Sequence, residues 1–547
     1  MYSNYRFVSV GVKSLIRVVR MCIKVQFYQP PNIFGFKVIV MLKAEKTTLV
    51  LNSESLSFWI TDKFIYIMLV VFPLFTGFHG YTQVTLSKYI FFVAVTVLWI
   101  AAILLGKIKS ILRKNVSRPS PVVLFILIYF FFCCISAVLS SYKSSVFLGE
   151  GRFDGLVTTL LCVSIFLGIS VFARPKPAYI YAAAISMSIN CIVAVLQLLG
   201  YNPLYLFPGN YTYYDAGIKF TGIFLGTIGN ADLFSAFLCL TLPLVSVYYI
   251  TTKNRNLLLL PAIAISAFCL FSCGVSGGML ALAVCMLIGA PFVITNGSRL
   301  RRALEAAPVF CFSLFIAFSV KAVKGTNGIS LDFSFGNRAA LVSVLFVFLV
   351  ISRITLRKCE FKEKTLSYLL AGLSICSVIT GLIAAYLWHG TEGTIFELSQ
   401  TMHGNINDKF GSSRILIWRN ALKLVPGHLL LGSGPGTLSL RLDVSFSRFV
   451  SETGKTLSST VDNAHNDYLG ILVNTGLLSL LSYMASQVIS LTKAAKSAKT
   501  SGLCCCLACS LLCYWVQAFF GLGLFLVSPI MWLIWGLLIS SIKNVKT

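Results

Sequence analysis

Charge is what this sequence is short of. Only 12% of its 547 residues are Asp, Glu, Lys or Arg, and just 18 are acidic. A soluble domain carries roughly 25% charged residues and could not keep this chain's apolar content in water. The chain also lacks the ten-residue alternation of apolar and polar positions that marks a membrane barrel, which removes that architecture. No repeat of fixed period runs through it. No apolar core followed by a small-residue cleavage site stands near its start, so no signal peptide is expected.

What is present is apolar: 57% of residues, with a mean hydropathy of +0.84. Runs long enough to cross a hydrocarbon layer of roughly 30 Å recur along the chain. They fall near 58–79, 86–105, 121–140, 155–172, 178–199, 224–250, 257–272, 275–295, 306–320, 339–352, 367–388, 465–490, 503–522 and 524–541. The expected fold class is therefore an all-α polytopic membrane protein of about 12–14 transmembrane helices. The runs at 257–272, 306–320 and 339–352 are short, which sets the lower bound.

The formal charge of +27 does not point to nucleic acid, because the cations sit in loops between apolar runs. KIKSILRK (107–114), ARPKP (173–177), TKNR (252–255), SRLRR (298–302), SRITLRKCEFKEK (352–364) and KAAKSAK (493–499) occupy alternate loops. Such bias marks the cytoplasmic side and places both termini there. The opposite set is 140–155, 201–222, 321–338 and 389–464. The 17 cysteines lie mainly inside apolar runs, including Cys133, Cys134, Cys269, Cys285, Cys504, Cys505, Cys506, Cys509 and Cys513. There cysteine behaves as a small apolar residue, not as a disulfide framework. Cys506 and Cys509 form a C-x-x-C with neither a second pair nor nearby histidines, so no metal site is expected.

Four regions follow: a basic cytoplasmic lead-in at 1–57, where Met21 and Met41 are alternative starts; a helical bundle at 58–388; a long extracytoplasmic loop at 389–464; and further transmembrane helices at 465–547. A loop that long in a compact protein is functional or disordered. This one holds SRILIWRNALKLVP (413–426), whose Ile415, Trp418, Leu422 and Val425 share a helical face ended by Pro426. That pattern predicts an amphipathic helix on the outer membrane surface.

Candidate chemistry gathers near that loop. In DNAHNDYLG (462–470), Asp462 or Asn463 is expected to cap a helix whose first turn holds His465. The positive end of the helix dipole would keep its imidazole neutral, and a neutral imidazole can take a proton from a hydroxyl. Asp467 points elsewhere on that helix. Arg414, Arg338 and Arg152 stand at helix starts in loops that ordinarily hold few cations, and a guanidinium fork suits phosphate oxygens. Each also has a plainer use as a headgroup anchor. Asn230 and Asp232 stand at the head of a span in GNADLFSAF (229–237), as a pathway or as a cap. GVSGGML (274–280) suggests a tight turn or close helix contact. LGSGPG (431–436) lacks the strand and Lys-Ser/Thr of a phosphate loop and is taken as a turn.

Two segments, ELSQTMHGNINDKFGSSRILIWRNALKLVPGHLLLGSGPGTLSLRL (397–442) and VDNAHNDYLGILVNTGLLSLL (461–481), together resemble the O-antigen ligase-like family of bacterial membrane glycan ligases and polymerases. GNADLFSAFLCLTLPL (229–244) and GEGRFDGLVTTL (149–160) look like two upstream motifs of that family, and the loop looks like its Gram-positive branch. The resemblance implies a GT-C-like bundle in the plasma membrane of a bacterium, with an extracytoplasmic site that needs no cofactor, metal or nucleotide sugar. It implies transfer of a glycan from an undecaprenyl-diphosphate-linked donor to a hydroxyl on a polysaccharide, lipid or protein acceptor. Carried onto this chain, it makes His465 the base and Arg414 the diphosphate-binding cation. Arg338 and Arg152 are further donor-binding candidates, with Asn466, Asp467 and Asn230 in support. Where many members carry an arginine in Ser-Arg-Gly, this chain has Ser276-Gly277-Gly278, so that charge would have to come from elsewhere, such as Arg338. The alternatives are a transporter or flippase, a protein O-oligosaccharyltransferase of the same family, and a structural membrane protein whose loop binds partners.

Overall fold

A computed structural model describes residues 24–28, 37–41, 49–51, 53–111, 119–208, 224–325, 328–333, 336–356, 362–450, 455–498 and 500–546. The helices, in chain order, are α1 (Leu56–Leu74), α2 (Val84–Ile111), α3 (Pro121–Leu139), α4 (Leu156–Phe172), α5 (Pro177–Leu198), α6 (Ala231–Thr251), α7 (Leu259–Ser272) and α8 (Ser276–Val293). They continue with α9 (Gly297–Ser319), α10 (Asn337–Thr355), α11 (Glu363–Tyr386), α12 (Thr394–Met402), α13 (Phe410–Lys423), α14 (Asp467–Ser497), α15 (Gly502–Ala518) and α16 (Ser528–Lys546). Ten of them are long and apolar enough to cross a membrane, and α4, α7, α15 and α16 are apolar but shorter. The chain is thus an all-α polytopic membrane protein. Strand among the described residues is confined to short antiparallel sets: Lys24–Tyr28 with Lys37–Met41 and Leu49–Leu51, Val320–Gly325 with Gly328–Phe333, and Ser445–Val450 with Lys455–Thr460.

Several expected boundaries move, each for a local reason. The run at 306–320 becomes a full-length helix because Asn296 caps it, its Oδ1 accepting from Arg299 N at 3.0 Å, so the basic SRLRR forms its first turns. The run at 224–250 starts later, because residues 224–230 turn before Asn230 caps α6. The 1–57 lead-in falls largely outside the described residues.

Two compact units are present. In the first, drawn from residues 1–64 and 97–117, Trp99 stacks on Phe64 and donates to Thr61 Oγ1 at 3.2 Å. The second, drawn from 65–96 and 118–547, holds everything discussed below. At its centre α6 is buried nearly all round, whereas α11 is almost wholly exposed and apolar. Lipid is as apolar as leucine, so close approach and interhelical hydrogen bonds must hold such helices together. Ser510 donates to Leu240 O at 2.5 Å between α15 and α6, and Trp535 Nε1 to Ser490 Oγ at 2.8 Å between α16 and α14. Each such bond contributes about 0.6 kcal/mol. In GVSGGML, Gly277 and Gly278 serve close packing: a side chain at Gly278 would stand 2.1 Å from Ser235 Oγ on α6.

The helix α14 is broken at Gly476, which is left-handed (φ +86°). Backbone of the LGSGPG turn fills the break. Leu477 N donates to Leu429 O at 2.8 Å and Leu478 N to Leu430 O at 3.3 Å, while Gly434 N donates to Asn474 O at 2.8 Å. Arg441 takes Val473 O at 3.1 Å and Ser136 takes Asn474 O at 3.0 Å. The groups freed by the break are therefore paired, as they must be away from water. No other residue suits Gly432 or Gly476, since a Cβ on either would lie 2.3 Å from a facing carbonyl oxygen.

Candidate functional site

His465, Arg414 and Asp232 meet at the end of the bundle where α6 and α14 begin. Asp232 lies in the first turn of α6. Its Oδ1 is 3.6 Å from an Arg414 guanidinium nitrogen, and its Oδ2 is 3.9 Å from His465 Nδ1. Beside them Arg152 pairs with Asp462 at 2.5 Å. Four segments far apart in sequence supply these five side chains. Two of the loops expected on the outer face, 140–155 and 389–464, supply Arg152, Arg414 and Asp462.

Local backbone aims the two principal groups. Before Arg414, residues Gly411, Ser412 and Ser413 are all left-handed (φ +63°, +58° and +64°). His465 is left-handed too (φ +48°). For non-glycine residues this costs about 1–2 kcal/mol each, so the surroundings must enforce it. Glu397 accepts from Gly411 N at 3.0 Å, and Asp408 pairs with Arg419 at 2.8 Å. Asn463 Oδ1 accepts from His465 N at 3.0 Å, and Trp418 Nε1 donates to Ala464 O at 3.0 Å, tying α13 to the start of α14.

That docking corrects part of the expected amphipathic face, although Trp418 and Val425 do pack against the protein. The buried side of α13 is Ile417 and Ala421, packed with Leu438, Leu442, Val444, Leu469 and Val473, while Leu422 is exposed. The apolar residues thus bind protein, because α13 covers the first turns of α14.

The cap of α14 is Asn466, whose Oδ1 accepts from Leu469 N at 3.0 Å, and not Asp462 or Asn463. His465 therefore precedes the helix instead of sitting in its first turn. Its imidazole is still held below the ordinary histidine value. Burial is the main cause; Arg414 and Arg152 push the same way, and Asp232 and Asp462 oppose them. Arg414 is mostly buried, and its NH1 donates to Gly411 O at 3.3 Å. Its Nε is buried with no hydrogen-bond partner among the described residues. This guanidinium has donors unspent.

Of the remaining candidates, Arg152 joins the cluster. Arg338 does not: it is exposed at the start of α10 and has no hydrogen bond or ion pair among the described residues. Asn230 and Asn466 act as caps, Asn230 Oδ1 accepting from Leu233 N at 3.1 Å. The Asp467 carboxyl lies against Gly523 and makes no hydrogen bond or ion pair with His465 among the described residues. Near Arg152, burial pushes the Asp154 carboxyl up to about 6. Asp232 is the residue that pattern reasoning placed at a helix head without assigning to the site. Its partners are 182 and 233 positions away, and no local signal gives such pairing.

Residues 333–484 match a family model described as O-antigen ligase. The match supports an O-antigen ligase-like family for this chain, and with it glycan transfer of ligase or polymerase type. It contains Arg414, Asp462 and His465 but neither Arg152 nor Asp232. No curated protein matches the chain.

Proposed function

We propose that this O-antigen ligase-like membrane protein moves a glycan from an undecaprenyl-diphosphate carrier to an acceptor hydroxyl at the outer face of a bacterial plasma membrane. The observation that carries the reading is the meeting of the His465 imidazole and the under-bonded Arg414 guanidinium across one carboxylate, Asp232.

In this reading His465 takes the acceptor's hydroxyl proton. The acceptor oxygen bonds to the anomeric carbon as the bond from that carbon to the diphosphate oxygen breaks. The bonding pair leaves with the lipid diphosphate, and the imidazolium later releases its proton to water. A neutral base is needed at the outset, which burial of His465 supports. Arg414 and Arg152 meet the charge that develops on the diphosphate, and a preorganised donor of this kind lowers a barrier by about 3–4 kcal/mol. Asp232 holds both partners in reach and steadies the imidazolium as it forms. With glycines at 277 and 278, the cation missing from the family pattern is supplied in this reading by Arg152, not Arg338.

A flippase would use an interrupted helix as an open binding site. Here the one interruption that α14 shows, at Gly476, is filled by the chain's own backbone. Whether the acceptor hydroxyl belongs to a growing polysaccharide, a lipid or a protein, the proposed chemistry is the same.

The test is reconstitution in vesicles with a lipid-linked glycan donor. His465→Ala and Arg414→Ala should each lose transfer while inserting normally. Transfer retained by both removes the assignment.

A further inference from the structure

A polar cavity of about 120 Å³ lies beside the cluster, lined by residues of α3, α4, the first turns of α14, the 523–525 turn and α16. Two carboxyls face it, Asp154 and Asp467, with the amides of Asn463, Asn466 and Asn474. Tyr129, Tyr483 and Trp532 form an aromatic wall, their rings 5.3 to 6.3 Å apart. No Lys, Arg or His lines it.

This is a built site, not a packing gap. The half-buried Asp467 carboxyl lines the cavity and makes no hydrogen bond or ion pair among the described residues. Asn474 Oδ1, which also lines it, is buried with no partner among the described residues. A buried acceptor left in this state requires a donor from the ligand or from water. Gly149 and Gly523 seat the carboxyls from behind, where a Cβ would lie 2.2 and 2.1 Å from their oxygens.

We infer that this cavity holds an uncharged, hydroxyl-rich sugar ring, the one presented to His465, and that it rejects acidic sugars. The inference rests on the transfer reading above and names the sugar class the site accepts. A carboxylate only accepts hydrogen bonds, so the ligand must donate, as sugar hydroxyls do. The C–H face of a pyranose carries partial positive charge and suits the negative face of an aromatic ring. A uronate or phosphate would face two carboxylates with no compensating cation in a low-dielectric space. The volume holds several waters at roughly 10–15 Å³ each, comparable to those one pyranose displaces. Asn463 and Asn466, which flank His465 in sequence, form part of the wall and so bring the ring to the imidazole.

The full chain in nanodiscs, probed by saturation-transfer NMR with methyl glucoside, methyl N-acetylglucosaminide and methyl glucuronide, tests this. The two uncharged glycosides should receive saturation and the glucuronide none. Asp467→Asn should weaken the signal by roughly fivefold, the loss of about one hydrogen bond. Gly470→Leu is the second variant: a Cβ at this lining position meets nothing within 4 Å, so a larger side chain there projects into the cavity. It should remove the signal at an unchanged melting temperature. An undiminished signal in Gly470→Leu, or a glucuronide signal equal to that of glucoside, overturns the inference. Repeating the measurement in His465→Ala separates the two readings. Binding kept while transfer is lost supports both. Binding by a wild-type chain that transfers nothing leaves the cavity standing and removes the transfer reading. Transfer without glycoside binding removes the cavity assignment alone.

Discussion

At one end of α6, Glu305 is bonded to everything around it; at the other, Asp232 is surrounded by donors it does not quite reach. Glu305 on α9 takes a hydrogen bond from Tyr249 at 2.8 Å, a direct bond from Arg353, and an ion pair from Arg255 at 3.2 Å. Asp232 has Arg414 at 3.6 Å and His465 at 3.9 Å, and Arg414 Nε lacks a partner among the described residues. Residues 232 and 249 are separated along the helix by roughly 25 Å at 1.5 Å per residue, so the clusters stand about a hydrocarbon thickness apart. A saturated cluster joins helix ends and has nothing left to offer a ligand. An unsaturated one of similar composition keeps its hydrogen-bonding capacity in reserve, which is what a site for a charged substrate needs.

The sharpest way to break this contrast is to truncate both ends. Arg414→Ala should lower the transfer rate by roughly a hundred- to a thousandfold, the cost of deleting one preorganised donor. Glu305→Gln should leave transfer near wild type but lower the melting temperature, since it leaves two arginines without their acceptor. Equal loss of transfer from both variants would show that the clusters do not differ in role.

Next in size, Asp232→Asn should slow transfer by roughly ten- to a hundredfold, in the range of an orienting partner. Its effect combined with Arg414→Ala should fall well short of additive, because the two share one interaction. Additive losses in the double mutant would separate Asp232 from the arginine.

A pH profile sharpens the contrast further. Burial lowers the His465 value, so transfer should be level above the ordinary histidine value of about 6.5 and decline only below it. In Asp232→Asn the decline should move to still lower pH, since a raising influence is gone. An acid limb above 6.5, or one that Asp232→Asn shifts upward, contradicts this account.

The smallest effect concerns Asp154. Its folded-state value, raised from 3.8 to about 6, makes its contribution to stability full below about 3.8 and lost as pH rises through about 6. Asp154→Asn should therefore melt a few degrees above wild type at pH 8 and level with it at pH 4. A constant offset across that range would show that the carboxyl does not titrate there.

Most of the fold was legible because it rests on composition and on apolar periodicity, which are local properties. All fourteen apolar runs correspond to helices, and the errors are at ends where caps such as Asn296 and Asn230 decide the start. The site was half legible. His465 and Arg414 stood out as polar groups at helix starts, and Arg152 as a cation in an unexpected loop. Asp232 was visible as a polar residue, but its role depends on a pairing that no nearby residue encodes. Arg338 stands apart from the cluster for the converse reason: a residue type in a favourable loop carries no information about where the loop goes. The cavity was not legible at all, because its wall is assembled from several helices and a turn.

The break at Gly476 bears on how the protein fits its surroundings. Unbroken, α14 would be a rod of 31 residues, roughly 46 Å long and well beyond the bilayer's apolar depth. The break leaves a lower rod of residues 477–497, roughly 31 Å, which alone matches that depth. The upper piece carries Asn474 and the turn next to His465, and it is clasped to the 429–434 backbone. The clasp on the 429–434 backbone thus fixes the upper piece by contacts that do not depend on the length of the lower rod.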